Sequence, residues 1–253
     1  MCPVLFHLYG PFSINAYGTL IAIGFLIALF LARKDPRKQH LITDDQGITL
    51  LSGSIVAGIF GARFFYFLIE QPTEFSWYDF FAFWQGGGTE LGSIIAIILF
   101  AGSYLYLQKI PILRLLDIAG SYAPLLQGFS RIGCFFAGCC HGLQTTSAWV
   151  IIYTDPRSLA PLDVPLFPIQ LAMSALFFAL FFILKPLARH YKKPGQLFTL
   201  YLMGASIIRF CIDFFRGDTP HNATLFSTYQ WISIIIFFTA LIGLLITSRS
   251  KKQ

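Results

Sequence analysis

The chain has 253 residues, of which 56% are hydrophobic and 17% aromatic; only 12% are charged, the formal net charge is +6 and the mean hydropathy is +0.67. A soluble domain of that length needs more charge than this to cover its surface, so the composition excludes the soluble classes and points to a polytopic membrane protein. The basic balance follows from topology and contact with anionic lipid, and nucleic-acid binding need not be invoked.

In chain order, apolar stretches fall at 14–32, 49–69, 90–107, 115–136, 164–184, 197–215 and 226–247. Each approaches the roughly 20 residues that a helix needs to cross a bilayer. The expected fold is therefore all-α: a single transmembrane domain over 1–253, with about seven helices. The first stretch lacks a basic leader and a small-residue cleavage site, and it reads as a retained helix. No low-complexity tract or internal repeat interrupts the series.

Lysine and arginine mark the cytoplasmic loops. Arg33, Lys34, Arg37 and Lys38 follow the first stretch; Lys109 and Arg114 follow the third; Lys185, Arg189, Lys192 and Lys193 follow the fifth; Arg249, Lys251 and Lys252 follow the last. The alternate loops carry Glu70, Glu74, Asp79, Asp155 and Asp163 instead. The N-terminus is expected outside and the C-terminus inside.

The basic residues left over are all arginines: Arg63, Arg131, Arg157, Arg209 and Arg216. Arg157 belongs to an outside loop, and the other four fall in the outer half of their spans or at an end. An arginine inside a membrane costs several kcal/mol unless it is paired or hydrated, so such residues are functional candidates. Snorkelling accounts for Arg216 more easily than for Arg209, which lies about two turns deeper. Arg209, Asp213 and Arg216 stand at i, i+4 and i+7, on one helical stripe with excess positive charge. Guanidinium grips phosphate through two parallel hydrogen bonds, so a group of arginines in the outer leaflet reads as a site for an anionic phospholipid head group. Tyr66 lies one turn from Arg63, and Tyr66 and Tyr17 either line this site or anchor at the interface. Glycines 53, 58, 61, 128, 133 and 204 read as close-packing positions.

The run Phe129–Gln144, FSRIGCFFAGCCHGLQ, places Cys134, Cys139, Cys140 and His141 beside Arg131. The spacing leaves several readings open. The three thiols form a thiol site, with a disulfide or an activated Cys–His pair, or they pack as small apolar groups against glycine. A zinc site would want a fourth ligand that His221, on the next outside loop, could supply, but the spacing is not that of a zinc motif and no metal is expected. Cys2 reads as an exposed thiol and Cys211 as a helix-packing residue. At the start of the third span, WQGGGTELG brings a glycine-rich turn to a helix N-terminus, where Glu90 suits the helix dipole or acts as a base.

The chain resembles the phosphatidylglycerol–prolipoprotein diacylglyceryl transferases over nearly its whole length. The resemblance is carried by NAYGTLIAIGF with Tyr17, GARFFYFL with Arg63 and Tyr66, FPIQL with Gln170, and MGASIIRFCIDFFRGD with Arg209, Asp213 and Arg216, followed by STYQWISI. In the signature region Arg131, Gly133, Phe135 and Gly142 agree with the family. Ser130, Cys134, Ala137 and Cys139 replace its Gly, Asn, Asn and Glu. The family's histidine in the third-span turn falls on Leu91, the second of its two glycines falls on Ser93, and the Tyr-Glu after Gln170 is Ala172-Met173.

The resemblance implies a diacylglyceryl transferase of the bacterial cytoplasmic membrane, with its site facing the outer leaflet. Its partners would be phosphatidylglycerol and a prolipoprotein signal peptide with a lipobox cysteine, and it would need no cofactor. Arg131 and Arg209 would act on the phosphate, with Glu90 or His141 taking the thiol proton. Tyr17, Arg63, Tyr66, Gly133, Gln170, Asp213 and Arg216 would bind substrate. The alternatives are a non-catalytic binder of anionic phospholipid and a membrane thiol oxidoreductase.

Overall fold

The computed structural model describes residues 4–9, 12–38, 41–69, 77–81, 87–218 and 226–249. The chain forms two compact units, one of residues 36–115 and one that joins 1–35 to 116–253.

The larger unit begins with an antiparallel hairpin, β1 (Val4–Tyr9) and β2 (Phe12–Asn15), which leads directly into α1 (Ala16–Arg33). In the smaller unit a short 3-10 turn at Pro36–Lys38 precedes α2 (Asp44–Ile69), and α3 (Trp77–Phe81) and α4 (Glu90–Leu107) follow. Next comes α5 (Ile112–Ala137), most of which belongs to the larger unit. The larger unit continues with β3 (Ile151–Ile152) and β4 (Pro165–Leu166), which pair antiparallel, and then α6 (Ile169–Leu187), α7 (Gln196–Asp213) and α8 (Thr228–Arg249).

In the smaller unit α2 starts with a reciprocal cap. The Gln46 N–H donates to Thr43 Oγ1 at 3.2 Å, and the Thr43 N–H donates to Gln46 Oε1 at 3.0 Å. Each bond satisfies a backbone donor that the first helical turn leaves open. Helix α2 packs along α4 at very short range, because Gly61 and Gly92 face each other. A Cβ on Gly61 would lie 2.6 Å from the Gly92 oxygen, and one on Gly92 would lie 2.5 Å from the Gly61 oxygen. Such backbone approach replaces apolar driving force as the adhesive between helices in lipid.

In the larger unit α6 buries one stripe, Ile169, Met173, Phe177, Leu180 and Leu184, against Leu197, Ile208 and Ile212 of α7. The intervals of three and four residues set these side chains on one face of α6. Helix α7 also packs along α8. Its N-terminus is held by α5: Asp117 accepts the Gly195 N–H at 2.7 Å and the Phe198 N–H at 2.9 Å. Gly195 has a φ of 87°, the left-handed turn that glycine adopts without steric cost.

Five helices, α1, α2, α6, α7 and α8, are long and apolar enough to span a membrane, and a shorter apolar helix covers Leu91–Leu107. Most of their apolar surface faces outward. In α8 the most apolar stretch is 11% buried at a hydropathy of 2.3, and Phe182, Ile235 and Leu26 stand exposed. In water that surface would drive aggregation, whereas in hydrocarbon it meets a matching solvent. The protein is an all-α polytopic membrane protein.

All seven stretches read from the sequence are helical, with shifted ends. Helix α2 starts at Asp44 because charged residues fit its capped first turn. Helix α6 starts at Ile169 and not at 164, because Pro165 and Leu166 pair with β3 and Pro168 occupies the cap position. The 26-residue α5 is too polar to count among the apolar spans, since Asp117, Ser121, Gln127, Ser130 and Arg131 interrupt it.

Candidate active site

The larger unit gathers most of the candidate residues where the end of α5 meets the end of α7. After α5 the chain turns at Gly138 (φ 80°) and passes through Cys139, Cys140 and His141. Three contacts brace this segment. Gln170, 1% exposed at the start of α6, donates through Nε2 to the Cys139 carbonyl at 3.0 Å and lies 3.4 Å from the Tyr153 hydroxyl. Tyr153 in turn donates to the Phe135 carbonyl at 2.9 Å. Burial pushes the Tyr153 hydroxyl up to about 12, so it remains a neutral donor over the ordinary pH range. Finally, Gly142 bridges to Arg216: the Leu143 N–H donates to the Phe215 carbonyl at 2.9 Å, and the Gly217 N–H donates to the His141 carbonyl at 3.0 Å.

The bridge has a consequence for Arg216. Helix α7 ends at Asp213, so Arg216 is not the last member of a helical stripe but sits in the turn beyond. It is 8% exposed and makes two parallel bonds to Asp218, at 2.9 and 2.8 Å. Arg209 sits 3.5 Å from Asp213 Oδ1, the i, i+4 pair expected from the sequence, while Asp213 Oδ2 accepts from the Ser227 hydroxyl. Both arginines lie over the ring of Tyr229, with the Arg209 guanidinium 4.6 Å and the Arg216 guanidinium 6.0 Å from its centre. An aromatic face attracts both cations and so holds two like charges in proximity.

Arg131, on the last turns of α5, reaches the cysteines: its Nη1 lies 3.6 Å from Cys140 Sγ and 3.9 Å from Cys134 Sγ. The sulfurs of Cys134, Cys139 and Cys140 all lie within 4.8 Å of one another. Hydrogen bonds from the Cys134 and Cys139 thiols hold the Cys140 thiol well below the usual range, and the Arg216 and Arg131 guanidiniums add to the effect. The Cys139 thiol is pushed far up by its bonds to Cys134 and Cys140 and by burial. Arg131 and Arg216 also lie within electrostatic range of Arg209, so three guanidiniums share one region. Tyr17 joins them from α1: its hydroxyl pairs with Ser130, and its ring and backbone cover Gly133, where a Cβ would come within 3.1 Å. Gly133 is thus one of the places where α1 and α5 make close contact. Gly142 Cα faces the Phe167 carbonyl, at a spacing no side chain could share.

The smaller unit holds Arg63 and Tyr66. Arg63 is 4% exposed and donates to the Gly87 carbonyl at 2.8 Å and the Asp79 carbonyl at 2.9 Å. Its guanidinium lies over Tyr66 at 5.9 Å and Phe67 at 5.6 Å, so the shared face read from the sequence is present. These bonds fasten α3 and Gly87 to α2. Glu90 is the first residue of α4, but its side chain lies outside the described residues, as do His221 and Cys2. His141 Nδ1 sits 3.1 Å from the Gly142 carbonyl. Cys211 does not pack between helices as expected; it is exposed on the outer face of α7.

The sequence reading overlooked Tyr229, Asp218 and Ser227. All three follow α7 in loops or at the next helix start, where no periodicity marks a side chain as inward. The available signals were two likenesses to the family: STYQWISI, which contains Ser227 and Tyr229, and MGASIIRFCIDFFRGD, which ends at Asp218.

These features define a helical membrane protein with a cluster of guanidiniums set among carboxylates and thiols. The family model for prolipoprotein diacylglyceryl transferase matches residues 3–246, and the chain belongs to that family. A phosphatidylglycerol–prolipoprotein diacylglyceryl transferase of Clostridium tetani is 33% identical over the full length of both chains. A second, from Clostridium perfringens, is 34% identical over 92% of this chain and 90% of its own. A third, from Thermotoga maritima, is 29% identical over 96% and 84%.

Proposed function

We propose that this protein transfers a diacylglyceryl group from phosphatidylglycerol to the lipobox cysteine of a prolipoprotein signal peptide, at the outer face of a bacterial cytoplasmic membrane. The observation that carries the reading is the family match over nearly the whole chain, which includes the residues of the guanidinium cluster. In this reaction the peptide sulfur attacks the glyceryl carbon. A carbon–sulfur bond forms, the carbon–oxygen bond to phosphate breaks, and its electron pair passes to the phosphate oxygen. The protein therefore supplies no nucleophile of its own; its task is to hold the phosphate and stabilise the charge that develops on it.

Arg131 and Arg209 are the residues for that task. Among the described residues Arg209 meets its carboxylate at 3.5 Å and Arg131 meets sulfur rather than carboxylate, so both have donors to offer a phosphate. Arg216 is committed to Asp218 and serves to position its neighbours. Tyr17, Gly133 and Gln170 shape the surroundings; within the smaller unit, Arg63 holds the α3 segment in place and Tyr66 packs against its guanidinium. Glu90 and His141 are the candidates for accepting the thiol proton.

The test is lipidation of a lipobox peptide by purified protein in phosphatidylglycerol vesicles. Arg131→Ala and Arg209→Ala are each expected to lower turnover by about 10²- to 10³-fold, the usual cost of one transition-state donor. Unchanged turnover in both variants would exclude the reading.

A further inference from the structure

The transfer chemistry above leaves the three thiols without a role. They come from different positions: Cys134 is 4% exposed on the last turn of α5, while Cys139 and Cys140 lie in the turn after Gly138. Cys140 has a φ of 53°, a left-handed conformation unfavourable for a residue with a Cβ. That strained residue belongs to a set whose sulfurs all fall within 4.8 Å of one another.

Three sulfurs in such proximity nearly fill three corners of a zinc tetrahedron. A Zn–S bond of about 2.3 Å sets the sulfurs about 3.8 Å apart, so each pair need close by at most about 1 Å. The adjacent cations are compatible with this, because a dication bound by three thiolates carries a net negative charge. Arg131, 3.6 Å from Cys140 Sγ, is placed to stabilise it. No fourth protein ligand joins the group among the described residues, and His141 Nδ1 lies against the Gly142 carbonyl. A zinc site with three protein ligands and one open corner is of the catalytic kind; a structural site is closed by four.

We propose that Cys134, Cys139 and Cys140 bind a zinc ion whose open fourth position takes the sulfur of the acceptor cysteine. The proposal rests on the transferase reading, in which a thiol must be activated near the arginines. The peptide thiol displaces zinc-bound hydroxide, giving a zinc-held thiolate and water. That sulfur attacks the glyceryl carbon, the carbon–oxygen bond breaks, and the electron pair goes to the phosphate oxygen beside Arg131. The thioether formed is a neutral, weak ligand; water replaces it and gives up a proton to solvent, which restores the hydroxide.

The test uses the full chain in detergent, reduced and stripped with a chelator, with Co²⁺ as the spectroscopic stand-in for zinc. One equivalent of cobalt should produce sulfur-to-metal charge-transfer absorption, and Zn²⁺ should abolish it by displacement. A lipobox peptide should strengthen the band, and the same peptide with serine for cysteine should not. Cys134→Ser, Cys139→Ser and Cys140→Ser should each weaken binding by about tenfold or more, while Cys211→Ser should not. Because a serine at buried Cys134 can impair folding, the wild-type spectrum decides. Absence of the sulfur band in reduced protein overturns the site, and a band indifferent to the peptide overturns the open position. Stripped protein that transfers at the full rate refutes zinc while leaving the transferase reading intact. A peptide-responsive band without transfer in vesicles refutes that reading and keeps the site.

Discussion

Tyr229 shows how a single ring can organise charge. It meets both Arg209 and Arg216, and each cation gains about 0.5–2 kcal/mol from an aromatic face according to its exposure to solvent. Tyr229→Phe keeps the ring and should retain lipidation kinetics close to wild type. Tyr229→Ala should lower kcat/KM by about 3- to 30-fold. Steady-state lipidation at varied phosphatidylglycerol content measures both. The arginines themselves were legible in the sequence, because a charge inside an apolar span stands out without any structure. Their partners were not. Asp218 sits between two apolar stretches, Tyr229 is one aromatic among many in the last of them, and the role of Gln170 as a brace for the Cys139 carbonyl depends on a contact between residues far apart in the chain.

Among the elements, the junction of α5 with α7 hangs on one carboxylate. Asp117 satisfies two N–H groups at the start of α7, and the alternative for those donors is burial without a partner. Asp117→Ala should destabilise the protein by about 1–2 kcal/mol, read as a fall in the thermal midpoint in detergent, and Asp117→Asn should recover part of the loss. Gly61 and Gly92 carry a comparable burden between α2 and α4. A valine at either position should separate the helices and lower the thermal midpoint further, since the clash is with backbone and not with the tip of a side chain. Helix existence was readable from hydropathy alone. The ends were less so, because proline at 165 and 168 and the Thr43–Gln46 cap act locally and do not alter the average over a window.

For the whole molecule, the arrangement of basic loops leads to an expected orientation. A single cysteine introduced at Lys193, in a background lacking the native thiols, should be shielded from an impermeant reagent added to intact cells. One introduced at Asp155 should be labelled. The opposite pattern would put the guanidinium cluster on the cytoplasmic side and would be incompatible with transfer to an exported peptide. Composition revealed the membrane setting at once, yet it carried no information about which helices touch. The convergence of Arg131 with Arg216 is a property of chain path.

The bridge between Gly142 and Arg216 makes that convergence mechanical as well as electrostatic. Two backbone bonds on either side of it couple the turn bearing Cys139 and Cys140 to the end of α7. A head group that pulled on one would displace the other, so the thiols and the arginines answer to a load as one body.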